Sequence, residues 1–130
     1  MPPKLESIDH VHINVSDRAA SERWYRDYLG FVRDPGFEPW VTERGPLTLT
    51  NSEGNIHLAL FERLEIQNTV IAFNVSAHGL AEWIQYLSSK DVPVEPIDHD
   101  LAWSIYFRDL DGNPFEITTY EYNEFKNIGV

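Results

Sequence analysis

The sequence predicts an α+β fold made from one small module written twice. Three internal matches point to it. Asn14-Val15-Ser16 recurs 60 residues later as Asn74-Val75-Ser76, and Glu22 is matched by Glu82 at the same offset. Glu53-Gly54-Asn55 recurs 58 residues later as Asp111-Gly112-Asn113. Each Asn-Val-Ser precedes a helix-like stretch and each Gly-Asn precedes a strand-like run, so the order of elements repeats with the residues. A period near 60 residues is too long for a solenoid and too short for two robust domains. The expectation is one domain over 1–130, with module one at about 6–62 and module two at about 68–122.

Ile8 to Val15 alternates apolar and polar residues, a strand signal. Ser16 or Asp17 can cap a helix that runs to about Leu29, where Gly30 stops it. Phe31–Arg33 and Leu47–Thr50 read as short strands, separated by a loop with Pro35, Gly36, Pro39 and Pro46. Ile56–Phe61 is a fourth strand, and Glu62–Asn68 a connector. The second copy follows the same order. Val70–Val75 is a strand, and Gly79–Lys90 a helix with an apolar stripe of Leu80, Trp83, Ile84 and Leu87. Val92–Ile97 is a strand piece interrupted by Pro93 and Pro96. Trp103–Arg108 and Phe115–Tyr120 are strands joined by a turn at Asp111-Gly112-Asn113. Tyr122–Val130 shows no pattern and reads as a loose tail or a dimer contact.

Composition narrows the function classes. The chain has 130 residues, 42% hydrophobic and 24% charged, as in ordinary globular proteins. Its net charge of −11 opposes binding to nucleic acid or anionic lipid. No cysteine is present, which excludes thiol nucleophiles and zinc–cysteine sites and permits a reducing, cytoplasmic setting. The opening Met-Pro-Pro-Lys-Leu-Glu lacks the apolar run of a signal peptide. No stretch has the roughly 20 apolar residues of a membrane span.

Sorting strand residues by parity gives two faces. One carries Val11, Ile13, Val15, Leu58, Leu60, Phe73, Ile105, Phe107, Phe115 and Ile117, and should pack on the helices. The other carries His10, His12, Asn14, His57, Ala59, Phe61, Ser104, Tyr106, Arg108, Glu116, Thr118 and Tyr120. That second face is neither a dry core nor a charged exterior. A curled sheet whose inner face lines a partly polar pocket accounts for it. A polar face turned to water is the simpler alternative.

Two stretches carry a family resemblance. Ile8-Asp9-His10-Val11-His12-Ile13-Asn14-Val15-Ser16-Asp17, followed by Trp24-Tyr25-Arg26-Asp27-Tyr28-Leu29-Gly30-Phe31, is similar to the opening of vicinal-oxygen-chelate proteins. These include glyoxalase I, extradiol dioxygenases, fosfomycin-resistance enzymes and bleomycin-resistance proteins. Ser104 through Glu116 resembles that superfamily's closing motif. The resemblance implies paired βαβββ modules forming a cup with helices outside, often completed by a second chain in a homodimer.

It also implies a divalent metal (Fe, Mn, Ni, Co or Zn), with His10 and Glu116 in ligand positions. Two positions depart from the pattern. Val70 stands where the metal enzymes carry a second histidine, and Ala59 where glyoxalases carry another glutamate. His57 and His12 lie about 7 Å along their strands from Ala59 and His10, so either would serve as ligand only with a displaced metal. His57 is a substitute ligand or a base. Tyr106 lies ten residues before Glu116, a spacing shared with dioxygenase and fosfomycin-resistance patterns, where the tyrosine contacts substrate oxygens. His12, Phe61, Trp103, Arg108 and Tyr120 are candidate substrate contacts. His78 and His99 have no assigned role.

Three functions remain open on the sequence alone. One is a metal-dependent lyase, isomerase or dioxygenase acting on a small oxygenated molecule. Another is a metal-free small-molecule binder of the bleomycin-resistance type. The third is a protein-interaction module with a filled cup, which the small residues Ala59, Val70 and Ala72 oppose.

Overall fold

The structure, a computed structural model, describes residues 1–65 and 69–128. The chain forms two compact units, Met1–Gln67 and Asn68–Val130. Each contains one four-stranded mixed sheet and follows the βαβββ order that the sequence predicts. Among the described residues no helix is long and apolar enough to cross a membrane.

In the first unit β1 (Val11–Val15) leads into α1 (Arg18–Trp24). Asp17 caps α1 by accepting from the Ala20 amide at 3.1 Å. The helix continues as a π-helical turn, Tyr25–Leu29, and ends on Gly30 in the left-handed region. Next come β2 (Val32–Arg33), a 3-10 helix (Pro35–Trp40), β3 (Leu47–Thr50) and β4 (His57–Glu62). The sheet order is β1-β4-β3-β2, with β1 parallel to β4 and the other pairs antiparallel. Parity places the core as expected: Ile13, Val15, Leu58 and Leu60 are buried. Two expectations change. Ile8 to His10 lie outside β1, because the ladder with β4 begins at Val11 and Leu58. The first part of the proline-bearing loop, Pro35–Trp40, is a 3-10 helix, because Asp34 accepts from the Gly36 amide at 2.9 Å and Pro35 fixes the first turn.

In the second unit β5 (Ile71–Asn74) leads into α2 (Ala77–Ser89), capped by Ser76. Leu80 and Leu87 are fully buried, while Trp83 and Ile84 are half-buried. Then follow β6 (Ile97–Asp98), β7 (Trp103–Arg108) and β8 (Pro114–Thr119), in the sheet order β5-β8-β7-β6. The strand expected over Val92–Ile97 shrinks to β6, since Pro93 and Pro96 carry no amide hydrogen for a ladder. The expected tail is a helix, α3 (Tyr122–Asn127). Phe125 is fully buried, and Trp103 stacks against Tyr122 and tilts against Phe125. Tertiary burial thus stabilises a helix too short to show a periodic pattern. The expected connector Glu62–Asn68 and the tail residues Gly129 and Val130 lie wholly or partly outside the described residues.

The two ladders can be compared residue by residue. Val11 pairs with Leu58, and Ile71 pairs with Phe115. His10 therefore corresponds to Val70, His12 to Ala72, and Ala59 to Glu116. The antiparallel pairs extend the match: Thr48 opposes Ala59 as Tyr106 opposes Glu116. The β3–β4 connection closes from Asn51 to Ile56 and the β7–β8 connection from Asp109 to Asn113, one residue shorter. Both turn on a glycine at positive φ, Gly54 at 72° and Gly112 at 85°. Each is pinned by the side chain that opens it. Asn51 Oδ1 accepts from the Asn55 and Ile56 amides, and Asp109 Oδ1 from the Asp111 and Asn113 amides.

Candidate functional site

Just before β1, the ring of His10 meets two partners. Its Nδ1 lies 2.8 Å from Asp9 Oδ2, and its Nε2 lies 2.9 Å from His12 Nε2. A carboxylate accepts, so His10 donates from Nδ1 and its Nε2 keeps the lone pair in the neutral ring. The two imidazoles stack at 4.9 Å, and His12 tilts against Phe61 at 4.6 Å. Arg63 lies over the Phe61 ring, 5.1 Å from its centroid.

His10 also borders a shallow pocket that is open to solvent. Phe37, Trp40 and Pro46 form its apolar wall, and Asp9, Thr48, His57 and Ala59 complete it. The wall is held in place from several sides. Arg33 makes a two-pronged contact with Glu22 and reaches Glu38 at 2.7 Å, tying α1 to the 3-10 helix. Arg18 Nη1 donates to the Gly45 carbonyl at 2.6 Å. A side chain on Gly45 would collide with the Trp40 carbonyl, so the loop closes only over glycine. Within this pocket His57 Nε2 lies 3.2 Å from Asp34 Oδ2, and both side chains are about three-quarters buried. Asp34 thus has two tasks: one oxygen caps the 3-10 helix, and the other orients an imidazole.

The second unit gathers oxygen donors. Glu116 on β8 is half-buried, and its Oε2 accepts from Ser104 Oγ at 2.7 Å. Ser104 is fully buried and also lies 2.9 Å from Thr118 Oγ1. Among the described residues no lysine, arginine or histidine forms an ion pair with Glu116. Tyr106 stands opposite Glu116 on β7, and its hydroxyl lies 3.0 Å from His99 Nε2. Burial pushes the Tyr106 phenol above its ordinary value, and the Glu116 charge and hydrogen bond push it further; a bond from Ser104 opposes them. Tyr106 therefore remains a hydroxyl donor through the neutral range.

The remaining predicted residues are scattered. Trp103 lies on the core face of β7 against α3. Arg108 donates to the Gly112 carbonyl at 2.7 Å and braces its own turn. Tyr120 is exposed beyond the end of β8. His57 and His10 share one pocket, and Tyr106 and Glu116 share one network. Sequence reasoning missed Asp9, Asp34 and Ser104 and gave His99 no role. Asp34 was legible as a cap before Pro-Gly, but its contact with His57 comes only from pairing β2 to β3 and β3 to β4.

A profile of the Glyoxalase/Bleomycin resistance protein/Dioxygenase superfamily matches residues 7–117. The chain belongs to this superfamily. Among curated relatives it is 31% identical over 120 residues to metallothiol transferase FosB of Staphylococcus haemolyticus, covering 88% of this chain and 84% of that one. With metallothiol transferase FosB of Staphylococcus epidermidis it shares 32% identity over 125 residues, at the same coverage. Solved structures of the superfamily share its fold. A glyoxalase/dioxygenase from Nostoc punctiforme matches with a TM-score of 0.72 at 19% identity, over 92% of this chain and 94% of that one. The fosfomycin resistance protein FosX of Listeria monocytogenes, solved with Mn(II) and 1S,2S-dihydroxypropylphosphonic acid, matches with a TM-score of 0.70 at 17% identity, over 89% and 93%.

Superfamily membership raises the question of whether this chain's donors suit a divalent ion. Two of them do. His10 offers an Nε2 lone pair, with the ring steadied through Nδ1, and Glu116 offers a half-buried carboxylate without a cationic partner among the described residues. The other two motif positions carry only hydrocarbon: Val70 is 47% exposed and Ala59 is 2% exposed. Within neither unit do three His, Cys, Asp or Glu side chains gather among the described residues.

Proposed function

We propose that this chain is a divalent-metal-dependent enzyme that joins a thiol to a small oxygenated molecule, as the name of its metallothiol transferase relatives describes for them: a C–S bond forms as a C–O bond at the same carbon breaks, and the proton lost by the thiol ends on the freed oxygen. The observation that carries this reading is Glu116: a half-buried carboxylate held by Ser104, with no basic side chain paired to it among the described residues. Such a group favours a bound cation. His10 and Glu116 serve as ligands for Mn, Fe, Co, Ni or Zn. The ion supplies Lewis acidity toward a substrate oxygen. Asp34 holds His57 so that the ring can take up or release a proton at the pocket floor. The Tyr106 hydroxyl donates to oxygen that gains negative charge. Phe37, Trp40 and Pro46 offer an apolar surface for the carbon part of the substrate. A homodimer in a cytoplasmic setting belongs to the same proposal.

The test uses full-length protein stripped of metal, then supplied with Mn2+, a low-molecular-weight thiol and a panel of small electrophiles that includes fosfomycin. Mass spectrometry should find the thiol adduct with wild type. Glu116→Gln and His10→Ala should lower the rate by about 100-fold or more. Unchanged rates in both variants, or in the stripped protein, would refute the assignment.

A second reading is metal-free capture of an aromatic molecule, favoured by the Phe37–Trp40 wall, whose rings lie 5.2 Å apart. A ligand that quenches Trp40 fluorescence equally with and without chelator would favour it over the enzyme.

A further inference from the structure

We infer that His12 is a metal ligand in this chain, supplying the nitrogen that Val70 cannot. This rests on the metal-dependent reading above and adds a residue to it. Four observations converge on His12.

The first is distance. Side chains two residues apart on a strand start about 7 Å apart. Here the rings lean together until the two Nε2 atoms are 2.9 Å apart. Two ligands at right angles around a metal, with bonds of about 2.1 Å, stand about 3.0 Å apart. The pair is therefore spaced for one cation without moving the backbone.

The second is protonation. Asp9 accepts a hydrogen bond from the Nδ1–H of His10, which leaves Nε2 as an acceptor. A carboxylate behind an imidazole is the usual way a metal-bound histidine is oriented. In the metal-free chain His12 donates Nε2–H to that lone pair. To hold a divalent ion, His12 would carry its proton on Nδ1, so that both Nε2 lone pairs would be available as ligands.

The third is support. Phe61 packs against the His12 ring at 4.6 Å, so the imidazole is held toward His10. The fourth is the repeat. His12 is paired with Ala59, the counterpart of Glu116, so only a methyl group stands across the ladder from it. The second unit has Ala72 in the place of His12 and Val70 in the place of His10. All strand imidazole donors at these positions thus lie in the first unit, and an i, i+2 histidine pair compensates for the missing one.

The test follows Co2+ binding to the metal-free full-length protein by its visible absorption and by calorimetry. Wild type should bind one Co2+. His12→Ala should weaken binding by about tenfold or more, and Val70→His in the His12→Ala background should restore it. His57→Ala should bind as wild type does. In wild type labelled with 15N-histidine, added Zn2+ should shift the Nε2 signals of both His10 and His12, a readout that needs no variant. Equal Co2+ affinity in His12→Ala, with the His12 Nε2 signal unmoved by Zn2+, overturns the assignment. In that case weakening by His10→Ala and Glu116→Ala still upholds the broader metal reading. A wild type that takes up no divalent ion ends both.

Discussion

The two units share one backbone plan and divide the donor atoms between them. Just before and within its first strand the first unit has His10 and His12, and the second has Val70 and Ala72 at the matching positions. On the central pair the order reverses: the first unit has Thr48 and Ala59, the second Tyr106 and Glu116. Nitrogen donors cluster in one copy and oxygen donors in the other. Neither copy alone retains a full set for a metal among the described residues. Duplication preserved the frame, while the chemistry at matched positions diverged by single substitutions.

The core pair should give the largest effect. Leu58 and Phe115 occupy matched, fully buried positions. Truncation of Phe115 to Ala should cost about 3–5 kcal/mol, and of Leu58 to Ala about 2–5 kcal/mol, with the aromatic position the more costly. Urea unfolding measures both. The reverse order would show that matched core sites in the two copies are packed differently.

The turn pair should give an intermediate effect. Asp109 is 8% exposed and accepts from two amides and from Asn113 Nδ2, whereas Asn51 is half-buried and does similar work with a neutral amide. Asp109→Ala should cost about 1.5–3 kcal/mol and Asn51→Ala about 1 kcal/mol. Equal losses would mean that the charge of Asp109 adds nothing to its turn.

The smallest effect is a titration. Glu116→Gln removes a charge and weakens an acceptor that both raise Tyr106, so the phenol should titrate lower, while the contribution from burial stays. Ser104→Ala removes the bond that opposes them, so Tyr106 should titrate higher. Ultraviolet difference spectra against Tyr106→Phe isolate this tyrosine from the other five. No movement in Glu116→Gln would separate the two side chains and weaken the oxygen-donor network of the second unit.

Local pattern revealed the core residues Ile13, Val15, Leu58, Leu60, Phe115 and Ile117, because alternation is written in neighbouring residues. Leu47–Thr50 and Trp103–Arg108 were legible to their ends. The start of β1 was not: a strand begins where its partner does, and β4 is more than forty residues away. α3 was hidden because one buried phenylalanine and a stacked tryptophan stabilise it, and neither leaves a periodic trace. Family likeness points to His10, Glu116 and Tyr106 as candidates. The contacts of His57 and Tyr106 were not legible. Asp34 reaches His57 and His99 reaches Tyr106 only after the chain has folded back.

Alternation along β8 has an evolutionary consequence. Phe115 and Ile117 anchor the sheet, while Glu116 between them points the other way. A gene can therefore exchange the outward residue, as Ala59 and Glu116 illustrate, and leave folding nearly untouched. Inserting or deleting one codon within the strand is a different event, since it would drive a carboxylate into the interior and a phenyl ring out of it. Lineages built on this frame should thus explore new reactions by replacement, with length changes confined to the turns.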